Sequence, residues 1–595
     1  MKGNAPQPKV RQLFKPLSWD RHHIQFDVLE EGVDSARRYE WILTNGIGGY
    51  CSQTVSGENL RAGHGLLVAA DEELERTVFL KSITETVNSQ PLAPHETGLS
   101  LSFDAGLDMA RFNYGCEDYS VSKTHSLIQG QNTLVTSYEV VNKGREALHF
   151  QAEPCAGISS PGEKAGCKSS PVGGNGFLVV SEQGCVIHYS PTAKLDGKKC
   201  SFTASVEAGR TEAVAIVTAA GKTENGVRET VVNTSNANKR VHTGVLGDRF
   251  GSHLMSLLST TRSFIIDFKG KKNILPGYHD AQLSSRDALI SLPGTCLIQG
   301  DFKTAEKVLE LHLNHVWGGR LPSSLLEKNS FTEFDAGLWL IDRVNKYVNA
   351  VDEDDAKAFL HTYWWTLKDV LNQYMKQERD GVLRHGGGTW LGDERENAVE
   401  VQGLWFNSLK VMGKLSDFME DELVFDTYIE DAKKAFDEVY WNGSFLMDCE
   451  GDGRLRPSQL IVLSLDYSPV ENVCAIKILS ACERKLLTPA GLRTLAPDDD
   501  CYEPDALGEG AAVPWLLGPF ARAYVKHFRE RGVKNVRDLL SVYFEKATSE
   551  ACLGTVSHHY GGDKPYEPRG CVSYAPSVAE PVSAYFEDVL NRKTG

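Results

Sequence analysis

The sequence predicts a chain of two parts, an N-terminal antiparallel β-sandwich followed by a domain built of helices. From about residue 38 to residue 235, short β-branched segments such as 77–83 and 133–141 are separated by Gly, Asn and Pro at turn positions. After Ser263 the apolar residues recur at helical spacing, as in 302–311. Many strands without helical period favour a sandwich, and successive amphipathic segments favour a helical domain.

Length, composition and charge set the class of protein. A chain of 595 residues and 65.6 kDa is too long for one ordinary core, so we expect two domains, one of them large. A hydrophobic fraction of 41% with 24% charged residues is typical of a globular protein in water. A net charge of -16 argues against nucleic acid or an anionic membrane as the main partner. No apolar run approaches the ~20 residues that a membrane span requires.

The cysteines indicate a reducing compartment. There are thirteen, an odd number, and none forms a Cys-x-x-Cys pair. This spacing predicts neither a metal site nor a disulfide framework. We therefore expect reduced thiols in an intracellular protein, in the cytoplasm in the first instance.

Composition shifts along the chain predict the domain boundaries. Residues 1–37 form an extension whose first acidic residue is Asp20, so its start is basic. Such a segment is either a transit peptide or a poorly ordered arm, and its lack of Arg and Ser richness favours the arm. We place the β-sandwich at 38–240, a linker helix at 241–263 and the helical domain at 264–595.

One stretch of the helical domain contains the candidate sugar-binding and catalytic residues. Arg286 and Asp287 lead into an apolar helix, and Asp335 stands near Trp339 about one helical hairpin later. One Asp could accept hydrogen bonds from sugar hydroxyls, and the other could donate a proton if an aromatic wall raised its pKa. On residue type alone, however, a buried Arg-Asp pair is more often structural.

Motifs along the whole chain carry a family resemblance. Glu40-Trp41-Ile42-Leu43-Thr44-Asn45-Gly46, Gly57-Glu58-Asn59-Leu60-Arg61 and His64-Gly65-Leu66-Leu67 look like the N-terminal signature of prokaryotic-type glycogen debranching enzymes. These are the amylo-alpha-1,6-glucosidases, relatives of glucoamylase. Further matches follow in the family's order at Val399-Glu400 with Leu404-Trp405, Arg456-Pro457-Ser458-Gln459, Pro514-Trp515-Leu516-Leu517-Gly518 and Pro568-Arg569-Gly570-Cys571.

The resemblance spans about residues 38 to 585 and implies an (α/α)6 toroid for the helical domain. In that fold the inner helices point their N-terminal loops at one mouth, where a glucan end enters. The resemblance implies that Asp335 is the general acid, unless it is a helix-entry Asp that bonds backbone amides. It also implies a substrate-binding set, namely Arg286, Asp287, Trp339, Glu400, Trp405, Arg456, Gln459 and His64. For Glu400 a helix-capping role, and for Arg456 and Gln459 a scaffold role, remain alternatives.

The chain differs from the family at positions where the family's residues contact sugar. Leu283-Ser284-Ser285 replaces the family's Asp-Trp-Gly, and His558 stands at the position of the catalytic base Glu. Loss of a buried acceptor costs on the order of 1 to 3 kcal/mol per unpaired group, and loss of a general base about 10²- to 10⁴-fold in rate. Glu509 is the one nearby carboxylate that could replace this base, unless it is a solvent-exposed loop residue.

Two hypotheses follow. The favoured one is a pseudoenzyme in which hydrolysis is lost or much reduced and the fold serves as a binding or structural component. The alternative is an active amylo-alpha-1,6-glucosidase that releases glucose from α-1,6 branch stubs, with Asp335 as acid and His558 or Glu509 as base. We expect no cofactor and no metal. The expected partners are glycogen or another α-glucan if the site functions, and other proteins if the chain is part of an assembly.

Overall fold

The structure is a computed structural model. It describes residues 24–27, 32–93, 99–106, 108–163, 166–173, 175–196, 200–237, 253–279, 282–327, 329–392 and 394–590. Most of the predicted basic extension, residues 238–240 of the predicted sandwich and residues 241–252 of the predicted linker lie outside the described residues.

The N-terminal part is made of two large antiparallel sheets. The first has nine strands, in the spatial order Ile24–Asp27, Ser100–Ala105, Ala110–Gly115, Tyr119–Leu127, Thr133–Asn142, Thr211–Gly221, Gly184–Tyr189, Gly176–Ser181 and Lys168–Val172. The second has eight, in the order Lys194–Asp196, Ser201–Val206, Leu148–Ser159, Arg76–Val87, Gly65–Ala70, Tyr50–Thr54 and Glu40–Thr44, with Gln90–Pro91 beside Arg76–Val87. Trp41 of the second sheet packs on Phe103 and Phe112 of the first. This shared core confirms the predicted antiparallel sandwich.

The end of the sandwich differs from the prediction of strands up to about residue 235. Glu224–Ala237 is a helix that packs on the strand Thr211–Gly221. Its Val227 and Val231 are buried in a small separate core on the outer face of the nine-stranded sheet. The i, i+4 spacing of these two valines is the sequence signal for a helix. The apolar pattern is too short to be distinguished from the neighbouring strands.

The C-terminal part is a closed ring of helices in two layers. The inner layer contains Ser285–Thr295, Ala336–Ala350, Val399–Phe418, Ser458–Ser464, the first half of Leu517–Thr548 and Ala575–Ala584, which continues as Tyr585–Leu590. Each inner helix packs on the next, and the last returns to the first. The outer layer contains His253–Thr261, Phe302–Leu313, Glu353–Met375, Asp426–Tyr440, Asn472–Lys485 and the second half of Leu517–Thr548. The predicted (α/α)6 toroid is therefore present.

Two helices depart from the simple prediction. Leu517–Thr548 bends at Arg529, whose φ of 56° and ψ of -130° are not helical, so the two halves belong to different layers. The predicted linker helix, of which His253–Thr261 is described, packs on Ala575–Ala584. It is therefore part of the outer layer of the toroid and not a spacer between domains.

Short strands complete the two domains. A five-stranded sheet lies beside the inner helices and contains Leu487–Thr488, Gly491–Arg493, Ala512–Val513, His559–Tyr560 and Pro568–Arg569. Two hairpins are formed by Ile265–Phe268 with Lys271–Ile274 and by Glu378–Arg379 with Val382–Leu383. A single turn of helix, Val33–Ala36, lies between the strands Ile24–Asp27 and Glu40–Thr44.

Backbone hydrogen bonds join the sandwich to the toroid. The Glu40 N–H donates to the Ala551 carbonyl over 2.7 Å, and the Leu553 N–H donates to the Glu40 carbonyl over 2.8 Å. The Asp267 N–H donates to the Gly46 carbonyl over 2.7 Å. The signature segment that begins at Glu40 thus lies at the seam between the domains, where it fixes their relative position.

Among the residues that the structure describes, the cysteines form no disulfide. Within the described residues, no helix combines the length and the apolar character needed to cross a bilayer.

Candidate functional site at the mouth of the toroid

The N-terminal ends of the inner helices meet at one end of the toroid, which we call the mouth. Ser284 begins the helix Ser285–Thr295 with an extended backbone, and its Oγ accepts a hydrogen bond from the Asp287 N–H over 3.0 Å. This is an ordinary Ser N-cap, and it places Arg286 and Asp287 in the first turn. The next inner helix begins directly after Asp335.

Both side-chain oxygens of Asp335 accept hydrogen bonds from protein donors. Its Oδ1 accepts from Arg286 Nε over 2.7 Å and its Oδ2 accepts from Trp339 Nε1 over 3.2 Å. Only 1% of the residue is exposed. Asp335 makes no side-chain capping bond, so it is not the amide-bonding helix-entry residue of the alternative interpretation. A general acid must reach the glycosidic oxygen, and both oxygens of this side chain are engaged by protein donors.

Arg286 points into the protein. Besides Asp335, its guanidinium donates through Nη2 to the Gly388 carbonyl over 2.7 Å. Trp339 is also enclosed, because its indole bonds Asp335 and the Arg343 guanidinium lies 4.7 Å from its ring centroid. In this arrangement the predicted sugar contacts of Arg286 and Trp339 are occupied by protein groups.

Glu333 is a carboxyl that the sequence analysis missed. Its Oε1 accepts from Ser284 Oγ over 2.5 Å, and its Oε2 accepts from the Arg286 N–H over 2.8 Å. Burial raises the pKa of Glu333 to about 7, although the positive charge of Arg286 opposes the rise. The available signal was an acid two residues before Asp335, in a segment already singled out. Glu333 is therefore a carboxyl that is partly protonated at neutral pH.

Asp287, Tyr574 and His558 form a second group at the mouth. The Tyr574 hydroxyl donates to Asp287 Oδ2 over 2.6 Å, and the rings of Tyr574 and His558 lie 4.3 Å apart. Burial raises the pKa of the Asp287 carboxyl. Burial also lowers the pKa of His558 to about 4, so its imidazole is neutral at pH 7. This group thus holds a neutral ring at the residue that the resemblance predicts to stand at the position of the base.

A third group consists of two arginines and three acids. Arg395 Nη2 donates to Glu400 Oε2 over 2.9 Å, and Arg395 Nε donates to Asp448 Oδ2 over 2.8 Å. Arg456 donates to Glu509 Oε2 over 3.1 Å and to the Thr494 carbonyl over 3.0 Å. Glu400 is fully buried, whereas 40% of the Glu509 side chain is exposed. The predicted sugar ligand Glu400 and the possible base Glu509 are thus both paired with arginine.

Two other predicted residues lie in the packing of the toroid. Gln459 accepts from the Leu446 N–H and donates to the Arg456 carbonyl, as a scaffold residue would. Trp405 is buried, and its Nε1 finds no acceptor among the described residues. The same is true of Nε1 of Trp390, whose ring packs edge-on against Trp515. Two buried indole donors without acceptors are unusual in a protein interior.

His64 lies at the seam with Glu40 and His279, and donor atoms of these three residues lie within 4.8 Å of one another. The Leu60 N–H donates to His64 Nδ1 over 3.0 Å, so the ring proton is on Nε2, which donates to Glu40 Oε2 over 2.9 Å. A protonated Nε2 cannot ligate a metal. Arg61 occupies the other oxygen of Glu40. This group therefore acts as an interdomain link, and it leaves no nitrogen of His64 free for a sugar.

Trp317 is a rim residue that no motif indicated. It precedes a tight turn in which Trp317 and Arg320 exchange backbone hydrogen bonds of 2.9 and 3.1 Å. The two central residues are glycines with φ of 56° and 73°, a conformation that other residues adopt at a cost. This turn leads from an outer helix to the inner helix after Asp335, and 71% of Trp317 is exposed. The loop that leads to the mouth therefore carries an exposed aromatic ring next to a tight turn.

Comparisons with known proteins agree with this fold. The family model described as amylo-alpha-1,6-glucosidase matches residues 259–583, and the model described as glycogen debranching enzyme N terminal matches residues 39–158. A search of curated proteins finds no match.

Solved structures with similar folds include a bacterial glucoamylase in complex with acarbose, with a TM-score of 0.62 and 12% identity over 93% of this chain and 94% of that one. A mannosylglycerate hydrolase from Thermus thermophilus aligns with a TM-score of 0.45 and 11% identity, over 56% of this chain and 99% of its own. With its sandwich, its six-hairpin toroid and both family matches, the chain belongs to the glycogen debranching enzyme family.

Proposed function

We propose that this protein is a debranching-enzyme relative whose hydrolase activity is lost or much reduced, and whose toroid serves as a binding or structural component. The observation that carries the proposal is the state of Asp335. Both of its oxygens are occupied, by Arg286 and by Trp339, and 1% of the residue is exposed. A carboxyl group that is buried and has both oxygens engaged does not reach a glycosidic oxygen.

The second catalytic group, the base that activates water, supports the same proposal. An inverting glycosidase needs a second carboxylate that activates water across the sugar ring. The resemblance puts His558 at that position, and His558 is neutral at pH 7 and carries no negative charge for an oxocarbenium-like transition state. Glu509 is a carboxylate, but its charge is compensated by Arg456. Acid and base functions are therefore weakened together.

The binding part of the proposal rests on the aromatic residues of the mouth. Trp317 offers an exposed ring on a rigid turn, and such rings stack on sugars without a large loss of side-chain entropy. Trp405 and Trp390 have buried indole donors without described acceptors, which hydroxyl groups could satisfy. A neutral α-glucan is compatible with a chain of net charge -16.

Glucose release from limit dextrin tests the proposal. Purified protein is incubated with limit dextrin beside an active family enzyme, and glucose is measured over hours. We expect release no faster than from the Asp335→Asn variant, together with a shift in melting temperature on addition of maltoheptaose. A wild-type rate of ~1 s⁻¹ or faster would refute the loss of hydrolysis. If neither hydrolysis nor a melting shift occurs, the glucan part fails and a structural role is left.

One observation favours the second candidate, an active amylo-alpha-1,6-glucosidase. Glu333 has a pKa of about 7 and lies beside Asp287, whose pKa is also raised. A carboxyl that is half protonated at neutral pH is suited to general acid catalysis, and a neighbouring carboxyl could orient water. In that case Glu333, not Asp335, would donate the proton. Glucose release that survives Asp335→Asn and disappears in Glu333→Gln would establish this candidate.

A further inference from the structure

A polar cavity of about 520 Å³ opens at the end of the toroid opposite the mouth. Its walls come from the C-terminal parts of four inner helices and the segments that follow them, and include Lys346, Asp466, Arg522, Lys526, Arg529 and Glu587. A volume in this range holds a small-molecule ligand. None of the residues predicted for the mouth lines this cavity.

The carboxylates of the cavity are largely engaged by protein groups. Glu587 accepts from Arg522 over 3.3 Å, and Arg522 also pairs with Glu580 deeper in the toroid. Asp466 accepts from Asn345 Nδ2 over 3.1 Å through one of its oxygens. The second oxygen of Asp466 has no hydrogen bond within the described residues, so it could still accept one.

The cations, in contrast, are not all engaged. Within the described residues, Lys346 and Arg529 form no hydrogen bond and no ion pair of 4.0 Å or less, although Glu587, Asp342 and Asp466 lie close enough to raise the pKa of Lys346 against the effect of burial. Lys526 donates to the Leu465 carbonyl over 2.7 Å and has protons to spare. Four cations line the cavity beside three carboxylates, Asp466, Glu587 and Asp588, so positive charge is in slight excess.

The backbone adds an independent observation. Arg529 has a φ of 56° and a ψ of -130° at the bend between two helices, which places a non-glycine residue in a strained conformation at the rim of the cavity. Strain of this kind costs about 1 to 3 kcal/mol and is concentrated at functional sites. The bend also turns the chain from the inner to the outer layer, so it has a structural consequence as well.

We propose that this cavity binds a small sugar phosphate. The phosphate would lie between Lys346, Lys526 and Arg529, where charge-assisted hydrogen bonds to three cations are available. The free oxygen of Asp466 would accept a hydrogen bond from a sugar hydroxyl. This site is separate from the mouth, and it neither requires nor excludes hydrolysis there.

Isothermal titration calorimetry of the full chain tests the proposal with three probes, namely glucose 1-phosphate, inorganic phosphate and glucose. We expect saturable binding of glucose 1-phosphate, weaker binding of inorganic phosphate, and no binding of glucose that depends on Lys346. Lys346→Met and Arg529→Ala should each weaken glucose 1-phosphate binding about tenfold or more, since each removes a charged donor. Lys303→Met removes an exposed lysine from an outer helix and should leave the affinity unchanged.

The outcomes separate this site from the mouth. Asp287→Asn alters the mouth alone and should leave glucose 1-phosphate binding intact. Absence of saturable binding, or affinity unchanged in both Lys346→Met and Arg529→Ala, would overturn the proposal. Equal affinity for inorganic phosphate and glucose 1-phosphate would overturn its sugar part. Arg529 is exposed, so its variant provides a reading even if Lys346→Met folds poorly.

Discussion

The two ends of the toroid differ in how completely their charged side chains are paired with one another. At the mouth, carboxylates and arginines satisfy one another, as in Arg286 with Asp335 and Arg395 with Glu400. At the far end, the carboxylates are largely paired, but Lys346 and Arg529 form no hydrogen bond or close ion pair within the described residues. An end of the toroid keeps the capacity to bind a charged ligand only where its charged side chains are not already paired with one another.

The largest effect is expected for Arg286→Met. It leaves Asp335 buried without its ion-pair partner, which typically costs about 3 to 5 kcal/mol. The matched change at the other end, Arg529→Met, removes a cation without a described partner and should alter stability by about 0.5 kcal/mol or less. Urea denaturation followed by tryptophan fluorescence compares the two. Equal losses in both variants would contradict the claim that only the mouth is internally paired.

A second effect concerns Glu333 and pH. Its folded pKa of about 7 is above the usual value of 4.5, so its contribution to stability is complete below about pH 4.5 and is lost as pH rises through about 7. Glu333→Gln should therefore stabilise the protein at pH 8 relative to pH 5, by on the order of 1 to 3 kcal/mol. Melting temperatures at both pH values test this. If the variant changes stability by the same amount at pH 5 and pH 8, Glu333 is not protonated at the mouth.

A third effect concerns His558, also at the mouth, whose contribution to stability changes with pH in the opposite direction to that of Glu333. The folded pKa of His558 is about 4, below the usual value of 6.5, so its contribution is complete above about pH 6.5 and is lost as pH falls towards 4. His558→Asn should be less sensitive to acid between these values, by on the order of 1 to 2 kcal/mol. Wild-type and variant melting curves at pH 7 and pH 4.5 measure this difference. Parallel curves would mean that His558 titrates normally.

The smallest effect on stability is expected at the rim. Trp317→Ala removes an exposed ring and should leave stability within about 0.5 kcal/mol of the wild type. If the ring stacks on sugar, affinity for maltoheptaose should fall between a few-fold and about tenfold. Trp365→Ala is the control, because Trp365 is 75% exposed but lies on an outer helix. Equal affinity in all three proteins would remove Trp317 from the proposed binding surface.

The fold was largely predictable because its signals are local. Period-two segments such as Thr133–Asn142 and amphipathic segments such as Phe302–Leu313 carry their own structure. The helix Glu224–Ala237 and the bend at Arg529 were not predicted. The first shows a short apolar pattern, and the second depends on how two layers of helices meet.

The site was less predictable because side-chain pairing is not local. Motif matches drew attention to the segment around Asp335, and the structure brings Arg286 against it. They could not indicate that this contact, rather than a sugar, would occupy both groups. Glu333 was missed because its raised pKa depends on burial beside Ser284, which is 49 positions away.

The most direct test of the central claim is the rate of glucose release from limit dextrin by wild-type protein between pH 5 and pH 8, with Asp335→Asn measured beside it. If the pairing of Asp335 with Arg286 and Trp339 has removed its catalytic role, both proteins should release glucose equally slowly at every pH. A wild-type rate of ~1 s⁻¹ or faster that is abolished by Asp335→Asn would contradict the account.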